Sequence, residues 1–300
     1  RGNIVGGLDY TKGPYYAAVG DFGSVASTHL RLANEIPNQF AVAGGMFGVY
    51  NFFAGGTEHF SDQDRITGGA YYGHLDGPFT HPDDFRKIAA TVRYSHGTDN
   101  DGYNVTAMYF HGEGNMTTDQ PLRAIEQGLI GRFGTLDPTD GSQSERYSLS
   151  AHYAATGDSW KLNSSVYFIH GTMILWNDFT HFLNDPVNGD QEMQNETRST
   201  GGGQAAITFE QAAGGIQNEL VAGVQLRYDS EYVDRKHTLR RAPLDYCSVA
   251  QPDGSSLQVP MAGGICNADQ IHLLDLGPYI QDTTRWTSWL RTVVGLREEY

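Results

Sequence analysis

The chain lacks any long apolar run. Nowhere does it approach the roughly 20 consecutive apolar residues of a spanning helix, which excludes a helical membrane protein. Cysteine is almost absent, with only Cys247 and Cys266. Both lie in a stretch rich in Pro, Gly and Ser (Pro243, Pro252, Gly254, Pro260, Gly263, Gly264). A loop-closing disulfide formed in an oxidising compartment is the expectation, two free thiols the alternative, and two lone cysteines make a poor metal site. Basic residues are scarce: 20 Lys and Arg against 35 Asp and Glu give a net charge of −15. That balance argues against nucleic acid as a partner and against adhesion to an anionic surface through a basic patch. The hydrophobic fraction, 39%, is below the usual globular value. What is plentiful is Gly (37), Tyr (17) and Phe (14), a mixture that suits strands and turns better than helices. The chain opens at Arg1 without a visible signal peptide and stops at Tyr300 in the middle of a strand pattern. A fragment of a longer protein is therefore expected.

The dominant pattern is period-2 alternation. Tyr147, Leu149, Ala151 and Tyr153 alternate with Arg146, Ser148, Ser150 and His152. Leu220, Ala222, Val224, Leu226 and Tyr228 alternate with Glu219, Gly223, Gln225 and Arg227. Each such strand turns one face to an apolar medium and the other to water. Strands are expected near 39–47, 50–57, 65–74, 86–96, 103–111, 145–155, 160–170, 198–210, 217–231, 270–285 and 289–300. Connections near Gly97–Gly102, Ala155–Ser159, Gln211–Gly215 and Trp286–Ser288 carry the small polar residues of tight turns. Those at 112–144, 171–197 and 232–269 are long, 75–85 is shorter, and the first, near Gly48, is short. Apart from that first loop, every second connection is long, the mark of an up-and-down transmembrane β-barrel with short turns on one side and long loops on the other. A soluble sandwich or propeller mixes its loops without such parity, and no internal repeat supports a propeller. Residues 1–37, broken by Gly6-Gly7, Gly13-Pro14, Gly20 and Gly23, read as strand-and-turn segments of a separate small domain.

One long loop carries a helix signal. Thr118 or Asp119 is placed to cap, Pro121 suits the first turn, Leu122, Ile125 and Leu129 share a face, and Gly131 or Gly134 ends it. Asp137-Pro138-Thr139-Asp140-Gly141 and Asp185-Pro186-Val187-Asn188-Gly189-Asp190 resemble oxygen-rich cation loops, yet neither has EF-hand spacing and Asx-turns account for both. The histidines, His59, His74, His81, His96, His111, His152, His170 and His181 among them, form no i, i+4 ligand pair, so no metal set is read. No G-x-S-x-G elbow or P-loop occurs, and Asp21, Ser24 and His29 lack any triad context. The sequence makes no case for catalysis, and the expectation is a protein that is not an enzyme and needs no cofactor. Tyr71-Tyr72, Tyr109-Phe110, Trp160, Tyr167-Phe168, Trp176, Trp286 and Trp289 cluster near strand ends, as interfacial aromatic girdles would.

Two segments carry a family resemblance. Leu8-Asp9-Tyr10-Thr11-Lys12-Gly13-Pro14, then Val19-Gly20 and His29-Leu30-Arg31-Leu32, resembles the end of the plug domain of TonB-dependent outer-membrane receptors. Tyr279-Ile280-Gln281-Asp282 with Trp286, then Leu290 to Gly295-Leu296-Arg297, resembles a mid-barrel hairpin of the same family. Asp76-Gly77-Pro78, Arg123-Ala124-Ile125 with Gly128-Leu129-Ile130, and Asp185 to Gln191 are similar to loop segments of one branch of these receptors. Val25-Ala26-Ser27 stands where a Gly-Gly pair is usual, and Arg297-Glu298-Glu299 where Arg-Tyr-Asp is common. The resemblance implies residues 1–37 as the C-terminal part of a plug and 38–300 as the N-terminal half of a barrel, about 11 of about 22 strands. It implies bacterial outer-membrane localisation, outer-membrane lipid as surroundings, and a TonB-type energy-transducing complex as partner. The implied activity is active uptake of a scarce ligand, a ferric siderophore first, cobalamin or an oligosaccharide otherwise. A passive porin and a secreted all-β carbohydrate-binding protein are the rivals. Tyr15, Tyr16, His81, Trp176 and His181 are the candidate ligand-binding residues.

Overall fold

The computed structural model describes residues 4–13, 15–20 and 25–300. Pro14 of the Lys-Gly-Pro run, together with Asp21 and Ser24, lies outside the described residues. Strands β1 (Val5–Lys12) and β2 (Ala26–Leu32) form a small antiparallel sheet of their own. All the larger strands join one antiparallel sheet in chain order: β3 (Gln39–Gly44), β4 (Tyr50–His59), β5 (Asp64–Leu75), β6 (Phe85–Gly97) and β7 (Gly102–Asn115). After helix α1 (Leu122–Glu126) the sheet continues with β8 (Gly141–Thr156), β9 (Trp160–Asn177), β10 (Glu192–Ala213) and β11 (Ile216–Leu239). A short β12 (Ala242–Pro243) folds back on the end of β11, and β13 (Tyr246–Ala250) with β14 (Ser256–Pro260) makes a hairpin within the following loop. The sheet closes its count with β15 (Ile265–Arg285) and β16 (Arg291–Arg297), so that β3 and β16 form its two edges.

Each strand pairs with its sequence neighbours, and the register puts the predicted apolar residues in line. Ala107, Leu149, Phe168, Gly201, Tyr228 and Leu274 are successive cross-strand partners. On the other face run Thr106, Ser150, Tyr167, Gly202, Arg227 and Asp275. Among the described residues, nothing packs on the apolar face. Leu149 is 54% exposed, Phe168 52% and Val166 61%, while the buried apolar residues are few and scattered. The accessible surface is 18155 Å², against about 12,500 Å² for a compact soluble protein of this mass. A soluble sandwich would bury that face against a second sheet, so the missing apolar medium is the decisive structural fact.

Connection parity follows the expectation. Tight turns occupy 60–63, 98–101, 157–159, 214–215 and 286–290, and on the other side lie the short 45–49 and the longer 76–84, 116–140, 178–191 and 240–264. Gly214 and Gly215, with φ of 59° and 85°, build the two-residue turn that requires positive φ at both positions.

Three expectations change. The strands on the long-loop side are longer than their alternation suggested: β10 has 22 residues and β11 has 24. Beyond the apolar band both faces of a strand meet polar surroundings, so the period-2 signal fades while the hydrogen-bond ladder continues. The helix is a single short turn, Leu122–Glu126, with Pro121 at its cap and no side-chain cap. Thr118 donates its hydroxyl to Asp140 instead, and Leu122 and Leu129 are 67% and 68% exposed while Ala124 is buried. Finally, the aromatic pairs split between faces. Tyr72, Tyr109 and Phe168 lie on the apolar face, whereas Tyr71, Phe110 and Tyr167 fall on the polar one, because adjacent strand residues point oppositely.

Candidate functional site

The long-loop end is held by a buried polar knot. Gln191 is 1% exposed and binds with every atom of its amide. Its Nε2 donates to Asp137 Oδ2 (3.1 Å), Thr139 Oγ1 (2.9 Å) and Asp140 Oδ1 (3.1 Å). Its Oε1 accepts from Thr238 Oγ1 (3.0 Å) and from the Arg241 backbone N–H (2.7 Å). One side chain therefore ties the loops 116–140, 178–191 and 240–264 together. Arg241, in the left-handed region at φ 68°, is secured by donating Nε to Thr139 O (2.6 Å) and Nη2 to Asn115 Oδ1 (2.9 Å), with its guanidinium 4.9 Å from the Trp176 ring centre. Such backbone strain persists only where surrounding contacts over-determine it.

The two Asp-Pro runs are Asx-turns, as their sequences indicate. Asp137 Oδ1 accepts from the Thr139 amide (2.7 Å), and Asp185 Oδ1 accepts from the amides of Val187 and Asn188 (3.0 Å each). Asp190 accepts the amides of Leu183, Asn184 and Asp185. Burial works to raise the Asp185 carboxyl, yet donation from the Asn188 amide, the Tyr246 hydroxyl, the Val187 amide and His237 holds it at about 2. Asp178 differs. Burial, with the Asp140 carboxylate beside it, pushes it up to about 7, and its Oδ1 has no partner among the described residues. The Cys247–Cys266 disulfide, with Cα atoms 5.6 Å apart, joins the β13–β14 hairpin to β15.

Below the loops, the polar face of β8 to β11 carries a hollow of about 690 Å³, whose lining includes Arg146, Tyr167, Glu196, Arg198, Thr200 and Arg227. Arg198 Nη2 pairs with Glu231 (2.7 Å) and Arg227 Nε with Asp229 (2.8 Å). Nearer the tight turns, residues 15–20 lie against this same face. Gln281 Oε1 accepts the Ala17 amide (2.9 Å), Gln225 Nε2 donates to Ala18 O (3.1 Å), and Arg291 Nη2 donates to the Tyr16 hydroxyl (3.4 Å).

The five candidate ligand residues are not brought together. Trp176 and His181 sit in the knot, Trp176 beneath Arg241 and His181 buried at 7% exposure with Nε2 donating to Asp119 O (3.2 Å). His81 stands in loop 76–84, whose Thr80 amide bonds Phe133 O of the neighbouring loop (2.8 Å). Tyr16 is at the tight-turn end beside Arg291, and Tyr15 is 77% exposed next to it in the chain. The long-loop mouth therefore holds His81, Trp176 and His181 but not Tyr15 and Tyr16. Arg241 and Arg198 carry no sequence signal for the site, and Gln191 stands only at the end of a loop segment of the family resemblance. The alternation of Arg146 and Arg227 with apolar neighbours was the one signal that placed them on the polar face.

No protein-family model matches the chain, and no curated protein matches it in sequence. Solved structures do match. The ferric citrate transporter FecA in its unliganded form superposes with a TM-score of 0.73 at 14% identity, over 99% of this chain and 43% of that one. The pyoverdine outer membrane receptor FpvA of Pseudomonas aeruginosa PAO1, bound to pyoverdine, gives 0.72 at 14% identity, over 99% and 46%. The ferric-catecholate import receptor Fiu of E. coli K12, in its open form, gives 0.70 at 10% identity, over 97% and 48%. The chain spans less than half the length of each of these three. Eleven neighbour-paired strands with an uncovered apolar face, loop parity and a segment lodged on the polar face meet in one architecture, and the chain has the fold of the TonB-dependent outer-membrane receptors.

Proposed function

We propose that the chain is part of an outer-membrane receptor for active, TonB-dependent uptake of a scarce ligand, with a ferric siderophore or related iron chelate as the ligand class. Residues 1–37 are the last part of its plug and 38–300 the first half of a barrel of about 22 strands. The observation that carries this reading is the docking of residues 15–20 on the polar face through Gln281, Gln225 and Arg291. A passive porin has no use for a preceding segment held inside its lumen. Outer-membrane placement rests on the apolar face that none of the described residues covers. Ferric chelates come first because FecA is a ferric citrate transporter, FpvA a pyoverdine receptor and Fiu a ferric-catecholate import receptor.

The test is uptake of radiolabelled ferric chelates by cells with and without the intact gene. Uptake lost on deletion, and lost again when the energy-transducing complex is removed, supports the proposal. Uptake that survives loss of that complex assigns the protein to passive permeation. A double Trp176→Ala, His181→Ala variant should weaken uptake if the knot shapes the binding mouth, and unchanged uptake takes this loop out of the site.

A further inference from the structure

Among the described residues, one group of side chains has the composition and spacing of a metal site: His74 near the end of β5, with Asp76 and Asp84 of the loop 76–84 that follows. It lies on the apolar-face side of the sheet, away from the polar hollow, since His74 is the cross-strand partner of Tyr50 and Arg86 and shares its face with Tyr72. The twelve residues of β5 rise about 28 Å when tilted by about 45°, close to the roughly 25 Å apolar band. His74 therefore stands at the outer rim of the wall, level with Tyr50 and one step above the rings of Phe52 and Tyr72.

The imidazole is pre-oriented. Its Nδ1 lies 2.9 Å from Gly48 O, and a carbonyl only accepts, so Nδ1 carries the proton. In the neutral ring Nε2 is then a lone pair, on a side chain only 9% exposed, and it faces two acceptors: Asp84 Oδ1 at 3.1 Å and Asp76 Oδ1 at 3.5 Å. A lone pair against two carboxylates requires a cation between them, either a proton on Nε2 or a metal ion. Ligand atoms about 2.1 Å from a tetrahedral ion stand about 3.4 Å apart, a spacing that the two distances bracket. Donation of the far ring N–H to a backbone carbonyl is the usual support of a metal-binding histidine. Gly48 serves twice: at φ 68° it offers that carbonyl, and a Cβ there would collide with the Asp76 carboxylate. Tyr50 fixes the ring plane from the side, stacked at 4.4 Å and 14°.

We propose that His74, Asp76 and Asp84 bind a divalent transition-metal ion of the Zn²⁺ type at the outer rim of the wall, with the remaining coordination position open to water. The imidazole favours such ions over Ca²⁺ or Mg²⁺, which take oxygen ligands. The competitor is internal: Arg86 donates Nη2 to Asp84 Oδ2 (2.7 Å) and Nε to Asp84 Oδ1 (3.3 Å), and a protonated His74 with this pair also satisfies the charges. Metal and proton therefore make opposite predictions for Arg86.

The experiment is Zn²⁺ titration calorimetry on the intact, chelator-stripped protein in detergent, with heat-modifiable gel mobility as the folding control. The wild type should take up one equivalent more than His74→Ala. Gly48→Ala, whose Cβ would displace the Asp76 carboxylate, should bind that equivalent more weakly. Arg86→Ala, by freeing Asp84, should bind it more tightly. Equal uptake by wild type and His74→Ala overturns the proposal, as does an Arg86→Ala variant with no gain, the result expected of an ion pair alone. If His74→Ala does not fold, Co²⁺ added to the wild type decides. Visible bands displaced by Zn²⁺, and absent in Asp76→Asn, support the site. No such bands, or bands unchanged in Asp76→Asn, remove it.

Discussion

The wall and the mouth of this molecule are stabilised by different physics. The wall has ladder hydrogen bonds, one apolar face left open among the described residues, and buried side chains that are mostly small and polar, such as Thr67, Ser95, Thr106 and Thr200. The mouth buries Asp140, Asp178, Asp185, Gln191, His237 and Thr238 to 8% exposure or less and satisfies most of them with one another. A wall of this kind depends on its solvent, because its favourable burial is realised only in lipid. The mouth is self-contained, like the interior of a soluble domain built from polar parts. The lesson is that one chain carries two separable stabilities, and perturbations should fall on one or the other.

The largest effect concerns the edges. β3 and β16 each present an unpaired ladder, and every unsatisfied N–H or C=O in lipid costs several kcal/mol. Residues 1–300 expressed alone should fail to give a monodisperse, heat-modifiable barrel, and gel mobility before and after boiling checks this. Next comes Phe168→Arg on the apolar face. It should cost about 2–4 kcal/mol in urea titrations of the intact protein folded into lipid vesicles. A cost near zero would mean that this face meets water, and the contrast between the regions would collapse. Gln191→Ala should act only on the mouth, taking from the Arg241 amide, Asp137 Oδ2 and Asp140 Oδ1 the partner that Gln191 supplies, at about 1–3 kcal/mol. Hydrogen exchange should quicken in 116–140 and 240–264 while β8 and β9 keep their protection. The smallest effect is the pH response. Asp178 is raised to about 7, so the folded mouth holds a proton that the unfolded chain releases near 4, and stability falls as pH rises from about 4 through 7. Asp185, held at about 2, contributes in the opposite sense, its stabilisation present above about 4 and lost as pH falls toward 2. Exchange in 178–191, corrected for intrinsic rates, should therefore quicken between pH 5 and pH 8, and Asp178→Asn should flatten that rise.

The two regions were also unequally legible. The wall was written in the sequence: Leu149 against Ser150, or Leu226 against Arg227, states which face meets which medium, and the strand count follows from the turns. The mouth was not. Gln191 has no periodic neighbours, and its partners Asp140, Thr238 and Arg241 lie about fifty positions away in two directions. The same holds for His74, whose companions sit two and ten positions on, across a loop with no helical or strand spacing to align them. The misplaced helix face has a related cause. Leu122 and Leu129 obey the helical period, but the loop has no core to receive them, and Ala124 takes the buried position instead. Asx-turns were the exception in the loops, because Asp-Pro states its local hydrogen bonds directly.

The unequal strand lengths have a consequence for outline. The tight turns lie on one side, so differences in strand length are expressed on the other. β5, with 12 residues, ends about level with the apolar band, whereas the 24 residues of β11 reach about 55 Å along the membrane normal. The rim is cut on a slant, like the nib of a quill, low at β5 and some 30 Å above the band at β11. Anything arriving along the membrane plane meets an open threshold on one flank and a palisade on the other.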